Sequence, residues 1–270
     1  MKLGISSYTF PWAIGFPDAT PRHPLQPLPL LEKARELGVG LVQFGPNMPL
    51  DKLPQQELLK VVKSASLWKI DLEMRTVGIA PAYLRDQIKF AKGIGAILLE
   101  ITPERPDGQI PMRTEIANCL QAVRDEWEKG EIRLAIDNSR IPARELNELL
   151  ESICSPWLGA ALDTANPMAL PQGWQLSVRV LAYRTLSLQI KDFVVRPAAH
   201  GMGFSITGCP VGKGQLNIPW LMESFARLRV EPSAIVQSWT PMQETLEATI
   251  ALEDEWAKQS VEYLRDFIPD

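Results

Sequence analysis

Short, almost unbroken apolar runs alternate along this chain with longer stretches in which apolar residues recur every three or four positions. The runs are Leu3–Phe10, Gly40–Phe44, Ile70–Arg75, Ile97–Ile101, Ile132–Ile136, Leu158–Leu162, Ser187–Phe193 and Ala234–Trp239. A strand buried on both faces, between a barrel interior and a shell of helices, reads this way. The stretches between them predict helices. One carries Leu30, Leu31, Ala34 and Leu37. Others run from Pro54 to Trp68 and from Pro81 to Lys92, a further one ends near Trp127, and another aligns Leu146, Leu149, Leu150 and Ile153 on one face. A final helix is expected from Glu247 to Phe267.

Strand–helix units recurring roughly every thirty residues predict an α/β fold, a (β/α)8 TIM barrel, with residues 1–270 forming one domain. A doubly wound open sheet would carry a glycine-rich phosphate turn after its first strand, and Ser6-Ser7-Tyr8-Thr9 is not one. The proline-rich, aromatic segment from Pro11 to Pro29, with Trp12, Phe16 and His23, predicts a rim loop or lid.

Composition narrows the classes of function. The chain has 270 residues, 46% of them apolar, and a net charge of -4, which argues against a grip on nucleic-acid phosphates. The start of the chain reads as a strand, not a signal peptide, and no apolar run reaches membrane-spanning length. A cytoplasmic protein without a membrane partner is expected. Cys119 and Cys154 read as buried thiols. With His23 and His200 as its two histidines, the chain has no site built from several imidazoles.

In such a barrel the chemistry lies at the C-terminal ends of the strands. Two of the apolar runs end in an acid there: Ile132–Ile136 in Asp137-Asn138-Ser139, and Leu158–Leu162 in Asp163-Thr164-Ala165-Asn166. Two carboxylates side by side on one rim are metal ligands or acid–base groups, unless each caps the helix that follows. The other strand ends supply Asn47, Glu73 with Arg75, Glu100, Gln189 with Lys191, and Gln237 with Trp239. Glu73 and Arg75 share a strand face and are expected to be able to pair. Beyond the seventh strand, Arg196, His200 and Lys213 are candidate binders of a carboxylate, phosphate or hydroxyl. Trp12 and Trp239 are candidate apolar walls for a sugar ring.

Several segments together resemble the xylose isomerase-like TIM barrels, a superfamily of sugar-phosphate isomerases and epimerases. They are Leu162-Asp163-Thr164-Ala165-Asn166, Gln189-Ile190-Lys191-Asp192-Phe193, Ile235-Val236-Gln237-Ser238-Trp239, and above all the turn Gly208-Cys209-Pro210-Val211-Gly212-Lys213-Gly214-Gln215-Leu216. The ending Glu255 to Arg265 is similar to one branch of that superfamily, linked to decarboxylation of oxo-sugar acids as well as to isomerisation. The resemblance implies a metal site with a Glu on strand 5, an Asp on strand 6, a His on strand 7 and a Glu on strand 8. Those positions fall on Asp137, Asp163, Gln189 and Gln237, so only Asp163 is the family residue. An all-oxygen set suits Mg²⁺ or Mn²⁺, and two neutral amides in it predict weak metal binding or none. A Gln cannot serve as general base, so Gln237 removes one of the two proton-transfer groups that the resemblance implies. Glu100, Glu73, His23 or His200 are the candidates to replace it.

Three functions follow as expectations. The first is a sugar isomerase or epimerase acting by enolisation on a small keto-sugar, sugar phosphate or sugar acid, with Asp137, Asp163, Glu100 and His200 as catalytic candidates. The second is a decarboxylase of an oxo-sugar acid. The third is a sugar-binding descendant that no longer turns its ligand over. A zinc apurinic endonuclease, also of this superfamily, needs a histidine-rich multi-metal site and a basic DNA face, and is excluded. The resemblance also allows a homodimer.

Overall fold

The computed structural model describes residues 1–198 and 201–269. In chain order the elements are β1 (Lys2–Ser6), α1 (Pro11–Ile14), α2 (Pro27–Glu36), β2 (Leu41–Phe44), α3 (Gln55–Trp68), β3 (Asp71–Val77), α4 (Pro81–Gly93) and β4 (Leu98–Thr102). They continue with α5 (Arg113–Gln121), α6 (Arg124–Glu128), β5 (Arg133–Asp137), α7 (Ala143–Ile153), β6 (Leu158–Asp163), α8 (Gly173–Leu181) and β7 (Thr185–Ile190). The chain then forms β8 (Asp192–Pro197), β9 (Phe204–Cys209), α9 (Ile218–Leu228), β10 (Ser233–Val236) and α10 (Leu246–Leu264).

Eight parallel strands close in the order β1-β10-β7-β6-β5-β4-β3-β2, a (β/α)8 barrel, while β8 and β9 form a separate antiparallel hairpin. Closure follows from burial. Every residue of β2, β4, β6 and β10 is buried, because the inner face fills the barrel and the outer face meets the helices. The helix α7 shows the complementary pattern: Leu146, Leu149, Leu150 and Ile153 pack inward from one stripe. No helix among the described residues is long and apolar enough to cross a membrane.

Four differences from the sequence reading stand out. The first strand ends at Ser6, not Phe10, because the Ser6 hydroxyl accepts from the Tyr8 amide and the Thr9 hydroxyl accepts from the Ser6 amide, capping a short helical turn. The rim segment is partly helical, in α1 and at the start of α2. Strand β7 stops at Ile190, and Asp192 begins the hairpin instead of extending the barrel strand. Cys154, expected to be buried, is exposed at the end of α7, where it adopts a left-handed conformation with φ 48°.

Helix α10 also fastens the rim. The buried Glu253 carboxylate accepts from the amides of Trp12 (2.9 Å) and Ala13 (3.0 Å) in α1. Burial pushes this carboxyl up to about 7. Glu73, sealed inside the barrel, is likewise pushed up to about 7 by burial. Both acids therefore keep their proton in the native state at pH values where the unfolded chain has lost it. Native stability should be greatest below about pH 4.5 as far as these two groups are concerned, and should fall as pH rises from there to about 7. A shift of that size is worth roughly 3 kcal/mol per carboxyl. Urea unfolding across pH 4.5–7 checks this, and Glu253→Gln should flatten about a third of the slope, because burial pushes Glu100 up to about 7 as well.

Candidate active site

Arg75 reaches from β3 into the mouth of the barrel and ties together four strands. Its Nη2 donates to Asp137 Oδ2 (2.5 Å) on β5 and to Thr102 Oγ1 (3.1 Å) on β4. Its Nε lies 3.2 Å from Glu100 Oε1, also on β4, and its Nη1 is 3.4 Å from Gln189 Oε1 on β7. The alternation of strand side chains explains the convergence. Arg75 sits beside Glu100 in the parallel register, and both side chains point into the barrel. The two acids hold the guanidinium above its ordinary pKa against the opposing effect of burial, so it is a permanent cation.

Both strand-end aspartates are fully engaged. Asp137 accepts from the Ser139 amide through Oδ1 (2.7 Å), and from Arg75, Thr102 (2.9 Å) and the Ser139 hydroxyl (2.9 Å) through Oδ2. Asp163 Oδ1 accepts from the amides of Ala165 and Asn166, both at 2.8 Å. Its Oδ2 is paired with Lys191 Nζ at 2.6 Å. Lys191 also donates to Asn166 Oδ1 (3.1 Å) and lies 5.6 Å from the centre of the Trp239 ring, so among the described residues one of its three N–H groups has no hydrogen-bond acceptor.

Above this layer lies a cavity of about 610 Å³. Arg75, Lys191, Asn47, Gln237 and Trp239 line it, with Tyr8, Phe16 and Asn166. Among its described lining residues there is no carboxylate and no imidazole. Gln237 is nearly fully buried, and among the described residues neither its amide nitrogen nor its amide oxygen has a hydrogen-bond partner. Most buried polar atoms in folded proteins are paired, so this amide at the cavity wall stands apart from the rest of the interior. Tyr8, whose ring lies under Arg75 at 5.5 Å, has its phenol pushed up by burial and stays protonated at neutral pH.

The remaining expected residues fall in several places. Glu100 is completely buried beneath Arg75, accepts from the amides of Gln43 (3.0 Å) and Gln189, and is pushed up to about 7 by burial, with Arg75 pulling it the other way. Glu73 lies two residues earlier on β3 and is occupied by Ser233 Oγ (2.5 Å) and Gln43 (3.2 Å). The partner of Arg75 is thus Glu100 together with Asp137, not Glu73. Trp12 donates through Nε1 to the Thr240 carbonyl and packs edge-on against Phe16, and it is Phe16 that lines the cavity. Arg196 and Lys213 are exposed and do not line it, and His23 is exposed on the rim segment. His200 lies outside the described residues.

The implied metal site can be tested against these contacts. Asp137 and Asp163 are each neutralised by a side-chain cation, and the Gln189 oxygen faces Arg75. Among the described residues no group of three or more His, Cys, Asp or Glu is placed to hold a metal ion. This donor set does not fit a divalent cation while Arg75 and Lys191 stand in it.

The chain has the fold of the xylose isomerase-like TIM barrels. D-psicose 3-epimerase from Clostridium cellulolyticum H10 superposes with a TM-score of 0.74 over 99% of each chain, at 13% identity. A xylose isomerase-like TIM barrel protein from Mycobacterium smegmatis, solved with magnesium, superposes with a TM-score of 0.69 over 97% of each chain, at 12% identity. In sequence, the chain is 28% identical over 265 residues to the 3-oxo-isoapionate decarboxylase of Pectobacterium atrosepticum, covering 98% of this chain and 95% of that one. No protein-family model matches the chain.

Proposed function

We propose that this barrel is a carbon–carbon lyase that decarboxylates a 3-oxo sugar acid. The observation that carries this reading is a cavity lined by two anchored cations but, among its described residues, by no base. Epimerisation through two bases needs a proton acceptor on each face of the substrate. Decarboxylation of a 3-oxo acid needs no acceptor. The bond between the carboxyl carbon and its neighbour breaks, its electron pair moves toward the ketone, and carbon dioxide leaves. The resulting enolate then takes one proton at carbon.

The side chains fit those demands. Arg75 Nη1, held among the described residues by a 3.4 Å contact to Gln189, has N–H to spare for the ketone oxygen, where negative charge develops. Lys191 offers its free N–H to the adjoining oxygen. Phe16 and Trp239 give the carboxyl end an apolar wall, which favours neutral carbon dioxide over the anion. Tyr8, protonated at neutral pH, supplies the proton. The likeness to a 3-oxo-isoapionate decarboxylase supports a branched or linear oxo-sugar acid as the substrate class.

The test is incubation with a carboxyl-¹³C-labelled 3-oxo sugar acid, such as 3-oxo-isoapionate, followed by NMR. Release of labelled carbon dioxide beyond the spontaneous rate is expected. Label that stays in the acid while the sugar carbons rearrange would replace this reading with isomerisation. Binding without either change would make the barrel a non-catalytic sugar-binding protein.

Gln237 is assigned to a substrate hydroxyl, since its amide can donate and accept at once. A hydrogen bond contributes about 0.5–1.5 kcal/mol. Gln237→Ala is therefore expected to raise KM roughly tenfold and change kcat little, as steady-state kinetics would record.

A further inference from the structure

We infer that Arg75 is the built-in cation of this barrel, standing at the point where the resemblance would place a divalent metal ion and excluding such ions from it. The inference rests on the site geometry alone, so it and the decarboxylase reading can fail separately. Of the four side chains in the expected ligand set, Arg75 contacts Asp137 at 2.5 Å and Gln189 at 3.4 Å, and Lys191 contacts Asp163 at 2.6 Å. Gln237 is left unpartnered. Two side-chain cations have thus divided between them the carboxylates that a metal would require. A divalent ion entering here would have to displace a guanidinium that is only 11% exposed, while a second cation sits on the neighbouring strand.

The environment of Arg75 resembles that of a hard cation. Its surroundings are oxygens from three strands beside its own: Glu100 and Thr102 on β4, Asp137 on β5, and Gln189 on β7. Glu100 and Asp137 are buried, and among the described residues no other side-chain cation contacts them. If the guanidinium is removed, two carboxyl groups and two neutral oxygens remain around one vacated volume. That is a plausible all-oxygen set for Mn²⁺ or Mg²⁺, with water completing the shell. The side chain on β3 thus decides what kind of cation the barrel holds, and the neutral Gln189 and Gln237 are consistent with a centre in which the compensating charge is monovalent.

Manganese binding, read by electron paramagnetic resonance in the absence of substrate, tests this on the full chain. The six-line signal of free Mn²⁺ should persist when wild-type protein is added. Arg75→Ala should quench it with about one ion per chain, and its affinity should be at least tenfold tighter than wild type. Arg75→Gln, which preserves more of the packing, serves as a second variant, and in either variant added Mn²⁺ should raise the melting temperature. Stoichiometric Mn²⁺ binding by wild type would overturn the inference whether or not the variants fold. So would folded Arg75 variants that bind Mn²⁺ no better than wild type.

Discussion

Arg75→Met should lower kcat for decarboxylation by about a hundred- to a thousandfold, the range seen when a preorganised donor to a developing oxyanion is removed. The same change should lower stability by about 3–5 kcal/mol, because it leaves buried carboxylates without their cation. The two effects have one origin. Glu100 and Asp137 are 0% and 1% exposed at their side chains, and water cannot replace the guanidinium between them. Arg75→Lys separates charge from geometry. A lysine keeps the cation but cannot contact Asp137, Thr102, Glu100 and Gln189 at once, since an ammonium is a point charge and a guanidinium a rigid fork. It should recover much of the stability and little of the rate. Urea unfolding and kcat, measured on the folded fraction at a temperature well below the transition, check both.

The second large effect concerns Asp192, which organises the turn after the hairpin. Its carboxylate accepts four backbone amides: Gly212 and Gly214 through Oδ2, both at 2.9 Å, and Phe193 (2.8 Å) and Leu216 (2.9 Å) through Oδ1. The glycines of the turn follow from this wrapping. A methyl group on Gly214 would run into Asp192 Oδ1, Cys209 Sγ and the Phe193 carbonyl, and Gly212 has φ +87°. Each buried amide left without an acceptor costs about 1–3 kcal/mol. Allowing for partial rehydration, Asp192→Ala should lose about 3–5 kcal/mol, or roughly 10 °C in melting temperature. Asp192→Asn, which keeps one acceptor, should lose about half as much. Gly214→Ala should resemble Asp192→Ala, and trypsin should cut both variants after Lys213 faster than wild type. Thermal melts and timed digestion measure these outcomes.

The barrel was legible in the sequence because burial on both faces of a strand leaves an unbroken apolar run, and most such runs, Leu158–Leu162 among them, fall within one or two residues of the strands found. Their ends were less legible. Asp192 has the pattern of a continuing strand, and only its four amide partners, spread between Phe193 and Leu216, make it a turn organiser. The site was legible as a set of polar strand ends, Asp137, Asp163, Gln189, Lys191 and Gln237 among them. Its wiring was not. Side-chain parity placed Arg75 beside Glu73 on one face, but which carboxylates it meets depends on the stagger between β3, β4 and β5, which no local pattern encodes. Tyr8 went unnoticed because it sits in a turn, where a phenol is no different in sequence from one that faces solvent. The neutral Gln189 and Gln237 were the visible sign that the charge balance of the rim had changed, and the two cations were their counterpart.

The central claim is that this barrel forms an enolate by losing carbon dioxide at a cation and not by taking a proton from carbon. Partial turnover of a 3-oxo sugar acid in deuterium oxide tests it most directly, with mass spectra of product and recovered substrate corrected for enzyme-free exchange. The product is expected to gain one deuterium at carbon, and the recovered acid to carry no enzyme-dependent label. Deuterium on carbon in the recovered acid, with its carboxyl group intact, would contradict it.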